Sequence, residues 1–252
     1  MHFRNTYEDA HYAEAYAGLE FPGTYGLAFR DLPDIIGRHV SGRRALDFGC
    51  GAGRSTRFLR RLGFDAVGVD ISPEMIRLAR AADPSGVYWL IGDGGVAASC
   101  DGVLDLVLCA FPFDNIPTTV EKAGILEALG SLLSRDGRIV NLVSSPEIYV
   151  HEWASFSTKA FPENRMAQCG DIVRIINVAV DQQMPTEDVL WTAEAWAETY
   201  RSANLDLLAT SRPLADASDP GPCVNETCIP PWAIHVLARP AAAAPTHSRH
   251  GD

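Results

Sequence analysis

Between residues 43 and 143 the chain alternates two patterns. Short, nearly continuous apolar runs are separated by longer stretches whose apolar residues recur every three or four positions. The first pattern reads as strands buried on both faces and the second as amphipathic helices. Their alternation predicts an α/β fold with a parallel sheet and crossover helices. The strands expected are Ala45–Phe48, Asp65–Asp70, Val87–Ile91, Leu104–Cys109 and Arg138–Val143. A helix is expected over Arg54–Leu62, closed by Gly63, and another over Thr119–Leu133. A third runs from Ser72, its N-cap, to about Ala82, with Pro73 in first position and Glu74 near the positive end of the dipole.

Residues 145–190 break this rhythm. They hold Pro146, Pro162 and Pro185 and one strand-like run, Ile172–Val180. A helix returns over Ala193–Ala203. Two apolar runs, at Leu205–Leu208 and Trp232–Ala238, could pair antiparallel across the loop Asp216–Pro231. The expected organisation is an N-terminal helical lid segment (1–42), one domain (43–239) carrying a substrate-side insertion (145–190), and a disordered tail (240–252).

Charge changes the picture on the side of partners. The 252 residues carry 32 acids against 21 Lys and Arg, a formal net charge of -11, which disfavours nucleic acid as a partner. Arg54, Arg57, Arg60 and Arg61 form the strong basic cluster, expected as a solvated helix face. No apolar run approaches the roughly 18 residues that span a bilayer. The first residues are polar and lack the apolar centre of a leader, so a cytoplasmic protein, monomeric or homodimeric, is expected. Six cysteines are too few for a disulfide scaffold, and the Cys223–Cys228 spacing fits no zinc signature, so no metal is expected.

The chemistry is concentrated where the first strand ends. Ala45–Phe48 runs into Gly49-Cys50-Gly51-Ala52-Gly53 and then directly into a helix. Glycines there permit positive φ and let a ligand approach bare backbone, while the helix N-terminus offers unpaired N–H groups. The spacing is G-x-G-x-G, with Asp47 two residues ahead and Arg54 where a dinucleotide fingerprint needs its third glycine. An acid-flanked turn suits a zwitterionic amino acid group better than a pyrophosphate. Asp70 ends the second strand 17 residues after Gly53, placed to accept from two ribose hydroxyls, and Asp93 follows the third strand, just before Gly94.

The runs Asp47–Gly53, Val69–Ser72 and Gly92-Asp93 resemble the class I S-adenosylmethionine-dependent methyltransferase family, of the bacterial small-molecule type. The likeness covers about residues 43–145 well and the last strands loosely. It implies a Rossmann-like, doubly wound, mostly parallel seven-stranded sheet with an antiparallel last strand. It implies S-adenosylmethionine as cofactor, with Gly49, Gly51 and Gly53 passing near its methionine part. Asp70 would hold the ribose, Ile71 would pack on the adenine, and Asp93, with Gly94 beside it, would accept from the adenine amino group. Apart from the resemblance, Tyr25, which follows Gly23-Thr24, is expected to fold over the cofactor.

The resemblance leaves the acceptor open, so its wall is sought in residues near the ligand edge of the sheet. Phe111 and Phe113 follow the fourth strand and are read as cavity wall or as plain core; aromatic faces attract a sulfonium or cationic ligand. The DNA amino-methyltransferase pattern of an Asn or Asp, two prolines and an aromatic is missing there. His151, Glu152 and Asp114 are the candidates for a general base, and His235 reads as structural. The expected activity is metal-independent methyl transfer to O, N or C of a small molecule. The rival readings are a cofactor-binding protein without transfer and an NAD(P)-dependent oxidoreductase.

Overall fold

The computed structural model describes residues 23–92, 102–180, 183–219 and 221–241. Among them, seven strands form one sheet: β1 (Arg44–Phe48), β2 (Asp65–Asp70), β3 (Val87–Leu90), β4 (Leu104–Ala110), β5 (Leu133–Ser144), β9 (Asp206–Ser211) and β10 (Trp232–Ala238). The spatial order is β3-β2-β1-β4-β5-β10-β9. β1 pairs parallel with β2 on one side and β4 on the other, Phe48 lying opposite both Val69 and Cys109. The strand order therefore reverses at β1, and the carboxyl end of that strand is the position where open α/β sheets bind their ligands. β10 runs antiparallel to both β5 and β9, so it alone opposes the rest, and the pairing expected across the 216–231 loop is present.

Helices cover both faces of this sheet. They are α1 (Thr24–Arg30), α2 (Leu32–His39), α3 (Arg54–Arg61), α4 (Pro73–Ala82), α5 (Thr119–Ser131) and α6 (Ala193–Ser202). One buried apolar cluster packs α1 and α2 on one side of the sheet, through Leu32, Ile36, Leu106 and Val140. The other packs α5 and α6 on the opposite side, through Leu46, Leu126, Leu129 and Leu237. Two layers of helices around strands buried on both faces account for the near-continuous apolar runs. Ser72 caps α4 as its sequence predicts, its Oγ accepting from Met75 N–H at 3.3 Å.

Two expectations are corrected. The helix expected to reach Leu133 stops at Ser131, and β5 starts at Leu133 rather than at Arg138. Leu133 pairs with Leu104, the register shifts before Leu106, and a Cβ at Gly137 would lie 2.6 Å from the Leu104 carbonyl. The strand thus begins with an irregular stretch that only a glycine permits and that lacks any alternating pattern. Residues 145–190 hold a second, antiparallel sheet of β6 (Phe156–Ser157), β7 (Ile172–Asn177) and β8 (Pro185–Val189), where a single strand was expected. β6 is too short to leave a pattern. β8 begins with Pro185, which cannot donate to the ladder and reads as a breaker. Residues 1–22 of the expected lid segment and 242–252 of the expected tail lie outside the described residues.

Candidate active site

The end of β1 carries a buried charge with half its partners missing. Asp47 is fully buried; its Oδ2 accepts from Ser55 Oγ at 2.7 Å and Thr56 Oγ1 at 2.6 Å, both on α3. Its Oδ1 is buried without a partner. Burial pushes this carboxyl up to about 6, against the two hydroxyl hydrogen bonds that favour its charged form. A desolvated carboxylate oxygen without a donor is costly, and a ligand donor arriving there would remove that cost.

The three glycines of the turn all have positive φ: 72° at Gly49, 52° at Gly51 and 81° at Gly53. Their surroundings differ. A Cβ at Gly49 would lie 2.4 Å from Pro112 Cβ, and one at Gly53 would lie 2.8 Å from the Tyr88 ring. A Cβ at Gly51 would meet only Met75 Sδ, at 3.9 Å. Gly49 and Gly53 are thus glycines because protein fills the space beside them. Gly51 is the member of the turn that faces open space.

Asp70, at the end of β2, ties this turn to the next helix. One carboxylate oxygen accepts from Gly51 N–H at 2.9 Å and the other from Ser72 N–H at 2.8 Å. A carboxylate offers about four acceptor sites, so capacity remains here for a ligand donor. Burial raises its pKa. Ile71 follows with 65% of its surface exposed, an apolar platform beside two acceptors. Asp93 and Gly94 lie outside the described residues.

The other half of the site starts where β4 ends. Phe111 has φ 69°, a conformation that a bulky side chain adopts only under strain. Its amide is fixed by Leu142 O at 2.9 Å, and its ring lies 4.7 Å from Trp232 and 6.0 Å from Tyr25. Tyr25 stacks on Trp232 at 5.8 Å and meets Phe156 edge-on at 5.0 Å. Arg54 places its guanidinium 5.1 Å from the Tyr25 ring centre, and Arg60 pairs with Asp83. The basic helix face is therefore partly engaged rather than simply solvated. Phe113 is core, packed between Phe48 and Trp196.

The rings of Tyr25, Phe111, Phe156 and Trp232 line one side of a cavity of about 40 Å³. Asp114 and Asp188 line the same cavity. Asp114 accepts from Ser144 N–H at 3.1 Å; Asp188, on β8, accepts from Tyr149 Oη–H at 3.1 Å and Asn115 Nδ2–H at 3.4 Å. Burial raises both carboxyls above their ordinary range, and the charge of Asp114 raises Asp188 further. Buried Lys122 on α5 donates to the Phe113 carbonyl and sits over the Trp191 and Trp196 rings at 4.5 and 5.2 Å.

The cavity is walled by α1 and the small sheet, which are latched together. Thr24 N–H donates to Ser155 Oγ and Ser155 N–H to Thr24 Oγ1, both at 3.0 Å. Buried Glu226 accepts from Thr24 Oγ1–H and Ala154 N–H, both at 2.7 Å.

Of the expected bases, Asp114 alone faces this cavity. His151 and Glu152 line a separate groove with Lys159 and Arg165, which shares only the Tyr149 wall with the cavity. His151 meets Trp153 edge-on at 6.3 Å. Glu152 accepts from Thr158 N–H at 2.8 Å and Ser157 Oγ–H at 2.9 Å, bonds that hold its pKa below the ordinary range and make it a brace rather than a base. The short turn Pro146–Tyr149 carries the chain away from the sheet edge before His151, which spacing alone does not reveal. His235 is structural as expected: its Nδ1 lies 2.5 Å from Tyr200 Oη, and burial pushes its pKa down to about 4. Asp188, Tyr149 and Trp232 were missed because each lies in or beside a segment that reads as strand or turn.

With the geometry in hand, similarity to known proteins becomes informative. Residues 45–137 match a methyltransferase domain family. A ubiquinone biosynthesis O-methyltransferase of Xanthomonas euvesicatoria is 32% identical over 104 residues, 40% of this chain and 42% of the relative. The matched part thus spans less than half the length of that relative. Among solved structures, the CcbJ methyltransferase of Streptomyces caelestis superposes with TM-score 0.64 at 18% identity, covering 95% of this chain and all of the other. The glycopeptide N-methyltransferase MtfA in complex with S-adenosylmethionine gives 0.59 at 12% identity, over 92% and 97% of the two chains. Among the described residues, no helix is long and apolar enough to cross a membrane.

Proposed function

We infer, from the match of residues 45–137 to a methyltransferase domain family, that this protein binds S-adenosylmethionine and methylates O, N or C of a small molecule. The observation that carries this reading is the unpartnered, fully buried Oδ1 of Asp47 at the end of the strand that leads into the glycine turn. An ammonium group, such as an amino acid carries, satisfies that oxygen, whereas a pyrophosphate is repelled by it. Asp70 retains acceptor capacity for a ribose hydroxyl, and exposed Ile71 offers a surface for a flat base.

When bound, the cofactor supplies an electrophilic methyl on a sulfonium whose departure leaves a neutral thioether. The chain's own tasks are to orient, to exclude water and to manage the acceptor's proton. Phe111 and Tyr25 line the cavity, and Pro112, next to Phe111 in the chain, packs against Gly49 of the turn. Asp114 and Asp188 are the cavity's ionisable groups on the acceptor side.

Calorimetric titration with S-adenosylmethionine, NADH and NADPH separates this reading from its nicotinamide rival. Saturable binding of S-adenosylmethionine alone is expected; binding of a nicotinamide cofactor instead would overturn it. Transfer of labelled methyl into an acceptor then separates an enzyme from a binding protein of the same fold.

A further inference from the structure

We propose that the Asp114–Asp188 pair receives the ammonium group of the acceptor and takes its proton, so that the acceptor is an amine and the product an N-methylamine. This rests on the methyl-transfer reading above and narrows its acceptor atom.

Charge balance is the first reason. Two carboxylates from different elements, the turn after β4 and strand β8, converge on one cavity. Among the described residues neither forms an ion pair. The cation whose field reaches both is Lys122, and its Nζ is directed to the Phe113 carbonyl and two Trp faces. With that cation turned to other partners, the pair has no ion-pair partner for its second negative charge whenever both carboxyls ionise, and an entering ammonium would supply one. The remaining groups around the pair, Tyr149 Oη, Asn115 Nδ2 and Ser144 N–H, are neutral donors. They orient the carboxylates without neutralising them.

The rings that line the same cavity are the second reason. Tyr25, Phe111, Phe156 and Trp232 present aromatic surface to the same space, which favours a cation over a neutral or anionic group. A deprotonating phenol would instead place a developing anion between two carboxylates, where it is repelled.

The third reason is independent of charge. Asn177 on β7 borders the cavity with 2% of its surface exposed, and its Nδ2 has no partner. Its amide orientation is fixed, because Oδ1 accepts from Ala179 N–H at 2.9 Å. A buried donor without an acceptor costs about 1–3 kcal/mol. A hydroxyl or carbonyl oxygen of the acceptor, near its amine, would satisfy it.

The step balances. The ammonium gives one proton to the carboxylate pair, whose raised pKa matches that task at neutral pH better than an ordinary carboxylate would. The freed lone pair forms the new N–CH3 bond, and the electrons of the broken S–CH3 bond stay on sulfur.

The test compares benzylammonium with benzyl alcohol, isosteric probes that differ in charge, by ligand-detected NMR on the full chain in the presence of S-adenosylhomocysteine. Benzylammonium is expected to bind at least tenfold more tightly. That preference should vanish in Asp188→Asn and shrink in Asp114→Asn, with thermal unfolding confirming that both variants fold. Equal binding of the two probes, binding of neither, or a preference that survives both substitutions would overturn the proposal. If S-adenosylmethionine binds and the cation preference is missing, this inference alone fails. If S-adenosylmethionine does not bind, the methyl-transfer reading fails whatever the probes do.

Discussion

Substituting the turn glycines one at a time separates ligand approach from packing. At Gly51, φ is 52° and an added Cβ meets only Met75 Sδ at 3.9 Å. The folded state of Gly51→Ala is therefore charged only with a left-handed alanine, about 1–2 kcal/mol. In a domain of this size each kcal/mol lowers Tm by about 2–4 °C. At Gly49 the left-handed term is similar, but the Cβ also lands 2.4 Å from Pro112 Cβ. Overpacking of that kind adds about 1–3 kcal/mol. Gly49→Ala should therefore melt several degrees below Gly51→Ala. Ligand affinity should show its own, separate effect at Gly51, where the methyl fills the space through which the cofactor meets the backbone. We expect at least a tenfold loss for Gly51→Ala, about 1.4 kcal/mol. The assays are thermal unfolding and calorimetric titration with S-adenosylmethionine. If Gly51→Ala shows its small Tm loss yet binds normally, no ligand approaches this turn. If Gly49→Ala is no less stable than Gly51→Ala, the Pro112 contact is not what requires glycine.

Asp70→Ala should weaken S-adenosylmethionine binding by about 1.5–3 kcal/mol, the scale of charge-assisted hydrogen bonds, and should also loosen the turn held at Gly51 N–H; unchanged affinity in a folded variant removes Asp70 from the site. Asp47 is charged in the folded protein only above about pH 6, while in the unfolded chain it is charged from about 3.8. The folded state thus holds the extra proton between those values. Stability from this group grows as pH falls from about 6 toward 3.8 and is lost as pH rises through 6. Asp47→Asn should flatten that slope in urea unfolding at pH 5 and 7 and weaken cofactor binding at pH 7; an unchanged slope refutes the buried-charge assignment. With an amine acceptor that turns over, His151→Ala should keep near-normal turnover while Asp188→Asn loses about 10²–10⁴-fold, the usual worth of a general base. The reverse ranking would return the base to the groove beside Glu152.

The cofactor half of the site was legible because its physics is local. A strand, a glycine turn and a helix lie consecutively in the chain, so the spacing alone marks Asp47 and the turn glycines as candidates, with Asp70 at the next strand's end, while Ile71 enters only through the family resemblance. Even there, the sequence treats Gly49, Gly51 and Gly53 alike. Only the positions of Pro112 and Tyr88, brought in from β4 and β3, distinguish packing glycines from the open one. The acceptor half was poorly legible because it is assembled from residues far apart in sequence. Asp188 comes from a strand opened by a proline, Trp232 from the antiparallel strand, and Tyr25 from a helix latched on by Glu226. His151 and Glu152 had the better composition in their neighbourhood, but a single turn of 3₁₀-helix ahead of them redirects the chain into a different groove. Adjacency in sequence was a poor guide where the backbone turns sharply.

The most direct test of the account is calorimetric titration of the folded chain with S-adenosylmethionine at neutral pH, with Gly51→Ala and Asp47→Asn run alongside. The account predicts saturable binding at one site per chain, weakened in both variants, and no binding of NADH or NADPH. No saturable heat with S-adenosylmethionine in a protein shown to be folded, or binding that both variants retain in full, would contradict it.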